Sequence, residues 1–310
     1  MMNAEAHRPW RSLGAFFLAG WLFLSVPGVA AQRSPASEIT KTELTVMTYN
    51  IRAGLGFGSA RTESDMGTRL GEIADVIRAA DADVVLLQEV DQGVQRTGEI
   101  DEPAVLADLL EMNHAFAPAI ELQGGRYGVA LLTRWEIASQ SVHLLFQPNL
   151  SETHPDLPDY FSEQRVAQIA QLVSGELTLT VVNTHLGLTK EQRTQQLGEI
   201  AEFLAQMDAL SPLVLGGDLN CEPDSSELAP IRRLLRDAYQ DFRDDRGLLL
   251  DMPIADRLTF PADEPVRCID YLFVQSASLD VVETEVVETA ASDHRPVFSR
   301  LRFVDAPVSD

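Results

Sequence analysis

Cysteine is almost absent. Cys221 and Cys268 are the only two in 310 residues, so no disulfide framework can hold this chain together. Basic residues are also scarce, with 24 Lys and Arg against 47 Asp and Glu and a formal net charge of −23. Such a body exerts no general pull on nucleic acid or anionic membrane, and it attracts cations, metal ions included. Short-period repeats and internal domain boundaries are missing too. Gly54 to Gly58 lacks the spacing and the following helix of a phosphate-cradling loop, and reads as a turn. What remains is 45% hydrophobic and 23% charged, a composition for globular structure rather than disorder.

The first residues form a separate segment. Arg8 and Arg11 precede an apolar stretch from Leu13 to Val26, and small residues follow at Val29-Ala30-Ala31. This is the pattern of a secretory signal peptide over residues 1–31, with Gln32 as the new N-terminus. The stretch is short for a transmembrane span and Pro27-Gly28 breaks it, so an uncleaved anchor is the alternative. Cleavage leaves no integral membrane span and a secreted or periplasmic protein. There the two cysteines could form one bond if the fold brings them together. Residues 32–41 read as a polar leader, 42–304 as one domain and 305–310 as a tail.

Within the domain, strands and helices alternate. Leu44 to Tyr49 has the period of a half-buried strand and ends at Asn50. Leu70, Ile73, Ala74 and Ile77 mark one helix face, and the apolar strand Val84 to Leu87 ends in Gln88-Glu89. Pro103 to Glu111 predicts a second helix, and Ala115–Ala119 and Tyr127–Thr133 predict two strands. Gln147 to Ser162 reads as a long exposed loop. Arg165 to Val173 and Leu177 to Asn183 form a hairpin around Gly175, running on to Thr184-His185. Thr189 and Gln192 have capping-box spacing for a helix continued by Leu197, Ile200 and Leu204. Leu213 to Leu215 is a buried strand closed by Gly216-Gly217; Asp218 and Asn220, two residues apart, should point the same way. A helix near Ile231 to Leu235, an irregular charged stretch from Arg243 to Asp263, and strands at Arg267–Val274, Leu279–Val287 and Val297–Phe303 complete an α/β chain.

The polar residues fall in a pattern. Asn50, Glu89, His185, Asp218 with Asn220, and Asp293 with His294 each lie at or just past an apolar strand end, while Asp270 sits within a strand. Converging strand ends would supply oxygen ligands of the kind that suit Mg²⁺, Mn²⁺ or Ca²⁺, together with two imidazoles. A cation beside proton-exchanging histidines is equipped to hydrolyse a phosphate ester. Each residue also has a plain reading. Asn50 serves equally as a turn residue, the histidines as structural ones, Arg165 as half of a surface salt bridge, and Arg96 with Asp91 as a solvated loop pair.

Seven short motifs in this order resemble the endonuclease/exonuclease/phosphatase superfamily, the DNase-I-like fold. They are Met47-Thr48-Tyr49-Asn50-Ile51-Arg52, Leu87-Gln88-Glu89-Val90, Tyr127 to Arg134, Asn183-Thr184-His185-Leu186, Gly217-Asp218-Leu219-Asn220, Ile269-Asp270-Tyr271 and Ser292-Asp293-His294-Arg295-Pro296. The resemblance covers about residues 42 to 304. It implies a four-layer sandwich, two packed mixed β-sheets flanked by helices. It also implies Mg²⁺ or Mn²⁺ held by Asn50 and Glu89 with Asp293 fixing the site, and a water and phosphate positioned by Asp218 and Asn220. In the same scheme His294 sits on the phosphate with Asp270 orienting it, His185 donates to phosphate or leaving group, and Arg165 and Tyr127 contact substrate. Two departures weaken any claim for DNA repair. Arg52 stands where some nucleases carry an acid, and the phosphate-contacting tyrosine of abasic-site nucleases has no secure match.

The expectation is therefore an exported, monomeric, metal-dependent phosphoesterase acting on a small phosphodiester or phospholipid headgroup, with no stable nucleic-acid complex. The alternatives are a secreted nuclease acting on DNA or RNA and, in another class, a non-catalytic ligand-binding module on the same fold.

Overall fold

The computed structural model describes residues 43–56, 63–149, 156, 158–208, 211–245, 254–275 and 277–304. The signal peptide, the leader, the tail and part of the 147–162 loop lie outside the described residues.

Among the described residues twelve strands form two six-stranded mixed sheets, as the motifs imply. The first has the order β11 (Leu279–Val286), β12 (Val297–Phe303), β1 (Glu43–Asn50), β2 (Val84–Gln92), β4 (Gly125–Thr133), β3 (Asn113–Leu122). The second has the order β5 (Glu136–Leu144), β6 (Val166–Ser174), β7 (Leu177–His185), β8 (Leu213–Asp218), β10 (Asp270–Val274), β9 (Arg236–Asp237). Each sheet contains one parallel pair, β1 with β2 and β7 with β8. A helix joins each pair: α1 (Glu63–Ala79) in the first sheet and α3 (Lys190–Leu204) in the second. The short helices are α2 (Glu102–Leu110), α4 (Ala229–Arg232) and α5 (Ala238–Asp245). The Thr189–Gln192 capping box starts α3 as its spacing predicts. β5, the two-residue β9 and α5 escaped the sequence reading.

Strand alternation explains the layers. Leu44, Val46, Val84, Leu86 and Leu131 face Ala170, Leu172, Val181, Val214, Leu272 and Val274 between the sheets. The opposite rows face outward: Met47, Tyr49, Val85 and Leu87 pack on Leu70, Ile73 and Ile77 of α1, and Leu213 and Leu215 pack on Leu197 and Ile200 of α3. The sheets approach closely at Gly216, where a Cβ would lie 2.7 Å from a Leu86 methyl.

Toward one end this interior changes from apolar to amide. Gln88 donates to Asn183 Oδ1 at 2.8 Å; Asn183 Nδ2 is shared among the carbonyls of Leu87 (3.1 Å) and Ala130 (3.0 Å) and Gln168 Oε1 (3.1 Å). Gln168 in turn donates to Ala115 O and to Gln140 Oε1. All three of Gln88, Asn183 and Gln168 are buried, and together they tie the sheets across the interface. Asn183→Leu strands these buried partners, and unfolding in urea should show a loss of about 3 kcal/mol. A loss under about 1 kcal/mol would mean the layer is dispensable.

Candidate active site

The residues beyond the amide layer continue the inward-facing rows. Asn50 follows Leu44, Val46 and Thr48; His185 follows Val181 and Asn183; Asp218 follows Val214 and Gly216; Asp270 precedes Leu272 and Val274. Strand pairing then aligns them, since His185 lies beside Asp218 and Asp218 beside Asp270 in the same sheet. The alternation that buries Val and Leu thus also delivers the polar set to one end of the sandwich.

Asn50 joins the sheets. Its Nδ2 donates to Glu89 Oε1 and to Asp218 Oδ2, both at 3.1 Å, while its Oδ1 accepts from Arg52 N. Asp218 Oδ2 also lies 3.5 Å from His185 Nε2 and 3.7 Å from His294 Nε2, and its Oδ1 accepts from Asn220 N at 2.9 Å. His294 Nδ1 donates to Asp270 Oδ2 at 2.9 Å, and the Phe260 ring packs 4.7 Å from its imidazole. The loop carrying Asp293 and His294 is fastened to β1 by Ser292 Oγ, which donates to Asn50 O at 2.8 Å.

Two ligating and binding positions depart from the sequence reading in how they arise. Glu89 does not end its strand. β2 runs on to Gln92 through a bulge between Leu87 and Val90, and Glu89 takes φ +54 there. The bulge re-aims a side chain that alternation would send outward to the helices. Asn220 does not share Asp218's direction by alternation either. It takes φ +52, and its Nδ2 turns back to Leu186 O (3.1 Å) and His185 Nε2 (3.2 Å). Asp270 opens β10 rather than lying inside it.

The remaining expected residues also meet here. Arg165 is buried, not a surface residue; its Nη1 lies 3.3 Å from His185 Nδ1 and its Nη2 3.3 Å from Glu163 Oε2. Tyr127 is buried within electrostatic reach of Glu89, Arg165 and Glu163. Arg96 makes a bidentate pair with the buried Asp91 and stacks its guanidinium 5.3 Å from the Tyr127 ring centre, so this pair is not loop solvation. Arg52, which stands where some nucleases carry an acid, lies 3.3 Å from Asp293 Oδ2. Asp293 is therefore the partner of Arg52, and Asp270 alone orients His294. Cys221 and Cys268 are both buried and free, and Cys268 Sγ accepts from Arg257 Nε, so the two do not pair. Sequence reasoning missed Glu163 and the Gln88–Asn183 layer. The signal for the latter was present, because Asn183 stands two residues before His185 on the same strand face.

The two histidines have opposite surroundings. Burial alone would lower the His294 pKa, but the Asp270 carboxylate and its hydrogen bond, reinforced by Asp218 and Asp293, push it up to about 10. Burial holds His185 well below its ordinary value, and Arg165 and His294 add to that. Burial and the neighbouring Asp270 raise Asp218 against donation from Asn220 and Asn50. Burial, with Glu89 nearby, also raises Asp293.

That last pairing bears on metal binding. Glu89 and Asp293 are two carboxylates close enough to repel, a pair of oxygen donors that suits a hard divalent cation, whereas Asn50, an expected ligand, turns its Nδ2 to Glu89 and its Oδ1 to Arg52 N and so fixes Glu89 in place. Asp218, Asp270 and His294 also cluster tightly enough to hold an ion. Within that trio Asp270 Oδ2 pairs with His294 Nδ1, and Asp218 accepts from Asn50 and Asn220, which suits it to proton handling, while Asp270 Oδ1 stays buried without a hydrogen-bond partner.

Comparison with known proteins identifies the family and the fold. The profile of the endonuclease/exonuclease/phosphatase family matches residues 47–294. The uncharacterized protein YbhP of Escherichia coli K12 is 24% identical over 271 residues, 83% of this chain and 96% of that protein. An endonuclease/exonuclease/phosphatase from Beutenbergia cavernae superposes with a TM-score of 0.60 at 25% identity, over 86% of this chain and 73% of that one. The mannosyl-6-phosphatase Bt3783 of Bacteroides thetaiotaomicron superposes with a TM-score of 0.62 at 19% identity, over 84% and 100%.

The His185 environment predicts a pH dependence. The folded state favours neutral His185, so its contribution is full above about pH 6.5, the unfolded value, and is lost as pH falls below it. With divalent cations chelated, the stability of His185→Gln should fall less than that of wild type from pH 6.5 to 5.5, by about 1 kcal/mol. Parallel pH profiles in thermal or urea unfolding would contradict the burial of a neutral imidazole.

Proposed function

The chain belongs to the endonuclease/exonuclease/phosphatase family, and from that membership we propose that it is an exported, divalent-metal-dependent hydrolase of phosphate esters. The observation that carries the reading is the Asn50 amide. It ties the carboxylate suited to hold a cation, Glu89, to the carboxylate that faces both imidazoles, Asp218.

Glu89 and Asp293 would hold Mg²⁺ or Mn²⁺, with Asn50 fixing Glu89. A bound cation supplies charge stabilisation to a phosphoryl oxygen. The chain does the rest. Asp218, steadied by Asn50 and the Asn220 amide, positions a water for in-line attack and takes its proton. His294, oriented by Asp270, stabilises the charge growing on the phosphoryl group. His185 and Asn220 donate to a phosphate or leaving oxygen, while Tyr127 and Arg165 line the substrate side.

The net charge of −23 favours a small phosphodiester or a phosphorylated headgroup over extended nucleic acid. The family resemblance to a sugar phosphatase is compatible with a monoester. Among the described residues no helix is long and apolar enough to cross a membrane. The reading includes a monomer released after cleavage before Gln32, on the strength of the signal-peptide pattern of residues 1–31.

The test is a phosphoester panel with chelation controls: bis-p-nitrophenyl phosphate, sugar phosphates, sphingomyelin, phosphoinositides, RNA and plasmid DNA. EDTA should abolish turnover and Mg²⁺ or Mn²⁺ restore it. Glu89→Ala and His294→Ala should each lower kcat by on the order of 10³. Wild-type rates in both variants, or hydrolysis indifferent to EDTA, would overturn the assignment. N-terminal sequencing of exported protein should begin at Gln32, and an intact N-terminus would contradict cleavage there.

A further inference from the structure

His185 stands between hydrogen-bond donors. Arg165 Nη1 faces its Nδ1 at 3.3 Å, and a guanidinium can only donate. Asn220 Nδ2 faces its Nε2 at 3.2 Å, and this amide is fixed as a donor because the same nitrogen donates to Leu186 O at 3.1 Å. A neutral imidazole has one acceptor nitrogen, so it can satisfy only one of the two. The guanidinium is the stronger and less adaptable donor, being charged and held on its other arm by Glu163. Nδ1 therefore accepts and Nε2 carries the hydrogen.

This leaves two N–H donors, His185 Nε2 and Asn220 Nδ2, 3.2 Å apart. The nearest acceptor, Asp218 Oδ2, is 3.5 Å from Nε2, beyond an ordinary N–H···O bond, and already accepts from Asn50. Asn220 Nδ2 gives one hydrogen to Leu186 O, so its second hydrogen and His185 Nε2–H are left for the oxygen of an anion. We propose that Arg165 is a positioning residue that holds His185 in its Nε2–H tautomer, so that His185 Nε2–H and Asn220 Nδ2–H form a paired donor site for one phosphate oxygen.

The contrast with His294 sharpens the point. Its Nδ1 faces a carboxylate acceptor, Asp270, so it carries hydrogen on the nitrogen where His185 does not. One imidazole is built to bear charge and the other to stay neutral. The charged and titratable groups facing His185 are Arg165 from the entry to β6, Asp218 at the end of β8, and His294 from the loop before β12. Two of the three oppose a second proton on His185. It follows that His185 binds oxygen and does not deliver a proton to the leaving group. Only the identity of the anion rests on the phosphoesterase reading; the tautomer stands on geometry alone.

The experiment is imidazole ¹⁵N NMR on the full chain, with the His185 signals assigned by their absence in His185→Gln. In wild type, Nε2 should be protonated and Nδ1 bare, with no titration between about pH 5.5 and 8, against an ordinary histidine value near 6.5. Inorganic phosphate should shift the Nε2 resonance. In Arg165→Met both tautomers should be populated and a titration should return toward about 6.5. Arg165→Lys, which keeps a charged donor, should restore the wild-type spectrum. With bis-p-nitrophenyl phosphate, Arg165→Met should lose about tenfold in kcat, against the ~10²-fold loss of removing an oxyanion donor outright, as in His185→Ala. A wild-type His185 with hydrogen on Nδ1, or an Arg165→Met spectrum unchanged from wild type, overturns the proposal. If Arg165→Met does not fold, the wild-type tautomer decides alone. A correct tautomer in a protein that cleaves none of the phosphoesters would sink the phosphoesterase reading and leave the tautomer lock standing.

Discussion

One buried amide, that of Asn50, holds the two halves of this site together. Glu89 belongs to one sheet and Asp218 to the other, and two carboxylates facing across an interface with low dielectric would otherwise push apart. Asn50 supplies both of its hydrogens to them and is itself fixed at Oδ1 by the Arg52 amide. An aspartate in its place would add a third acceptor where donors are needed. The choice of Asn over Asp at the end of β1 is thus a requirement of the packing as well as of the chemistry.

The site can sit at the end of the sandwich because the interior is graded. Aliphatic side chains fill the middle, then Gln88, Asn183 and Gln168 bond one another and the backbone carbonyls around them, and then the titratable residues begin. The amide layer satisfies polar groups without charge, so the carboxylates of the site do not border directly on hydrocarbon. It also fixes the spacing of the sheets on which the Asn50 bridge depends. Outside this core, Asp91, Arg96 and Tyr127 brace the wall beside Glu89 through a bidentate pair and a ring contact.

Within the site, geometry assigns charge. A carboxylate behind His294 and a guanidinium behind His185 give the same side chain opposite character within one cluster. Two such histidines are not a redundant pair. One answers to Asp270 and the other to Arg165, and Asp218 lies between them.

Much of this was legible in the chain. Apolar runs ending in Asn50, His185 and Asp218 mark strand ends because side chains alternate along extended backbone, and the same alternation carries those residues inward with their apolar neighbours. The Thr189 cap is likewise a local matter. Residues whose role depends on departing from local geometry could not be read that way. Glu89 reaches the site through a bulge and Asn220 through a left-handed turn, and neither is dictated by the residues around it. Arg165 lies 20 residues from His185 and Asp270 lies 24 from His294, so their pairings exist only once the strands are side by side. The strand ends and the inward rows follow from periodicity and can be read from the residues alone. Which donor meets which acceptor depends on how two sheets pack, and with it the opposite surroundings of the two histidines.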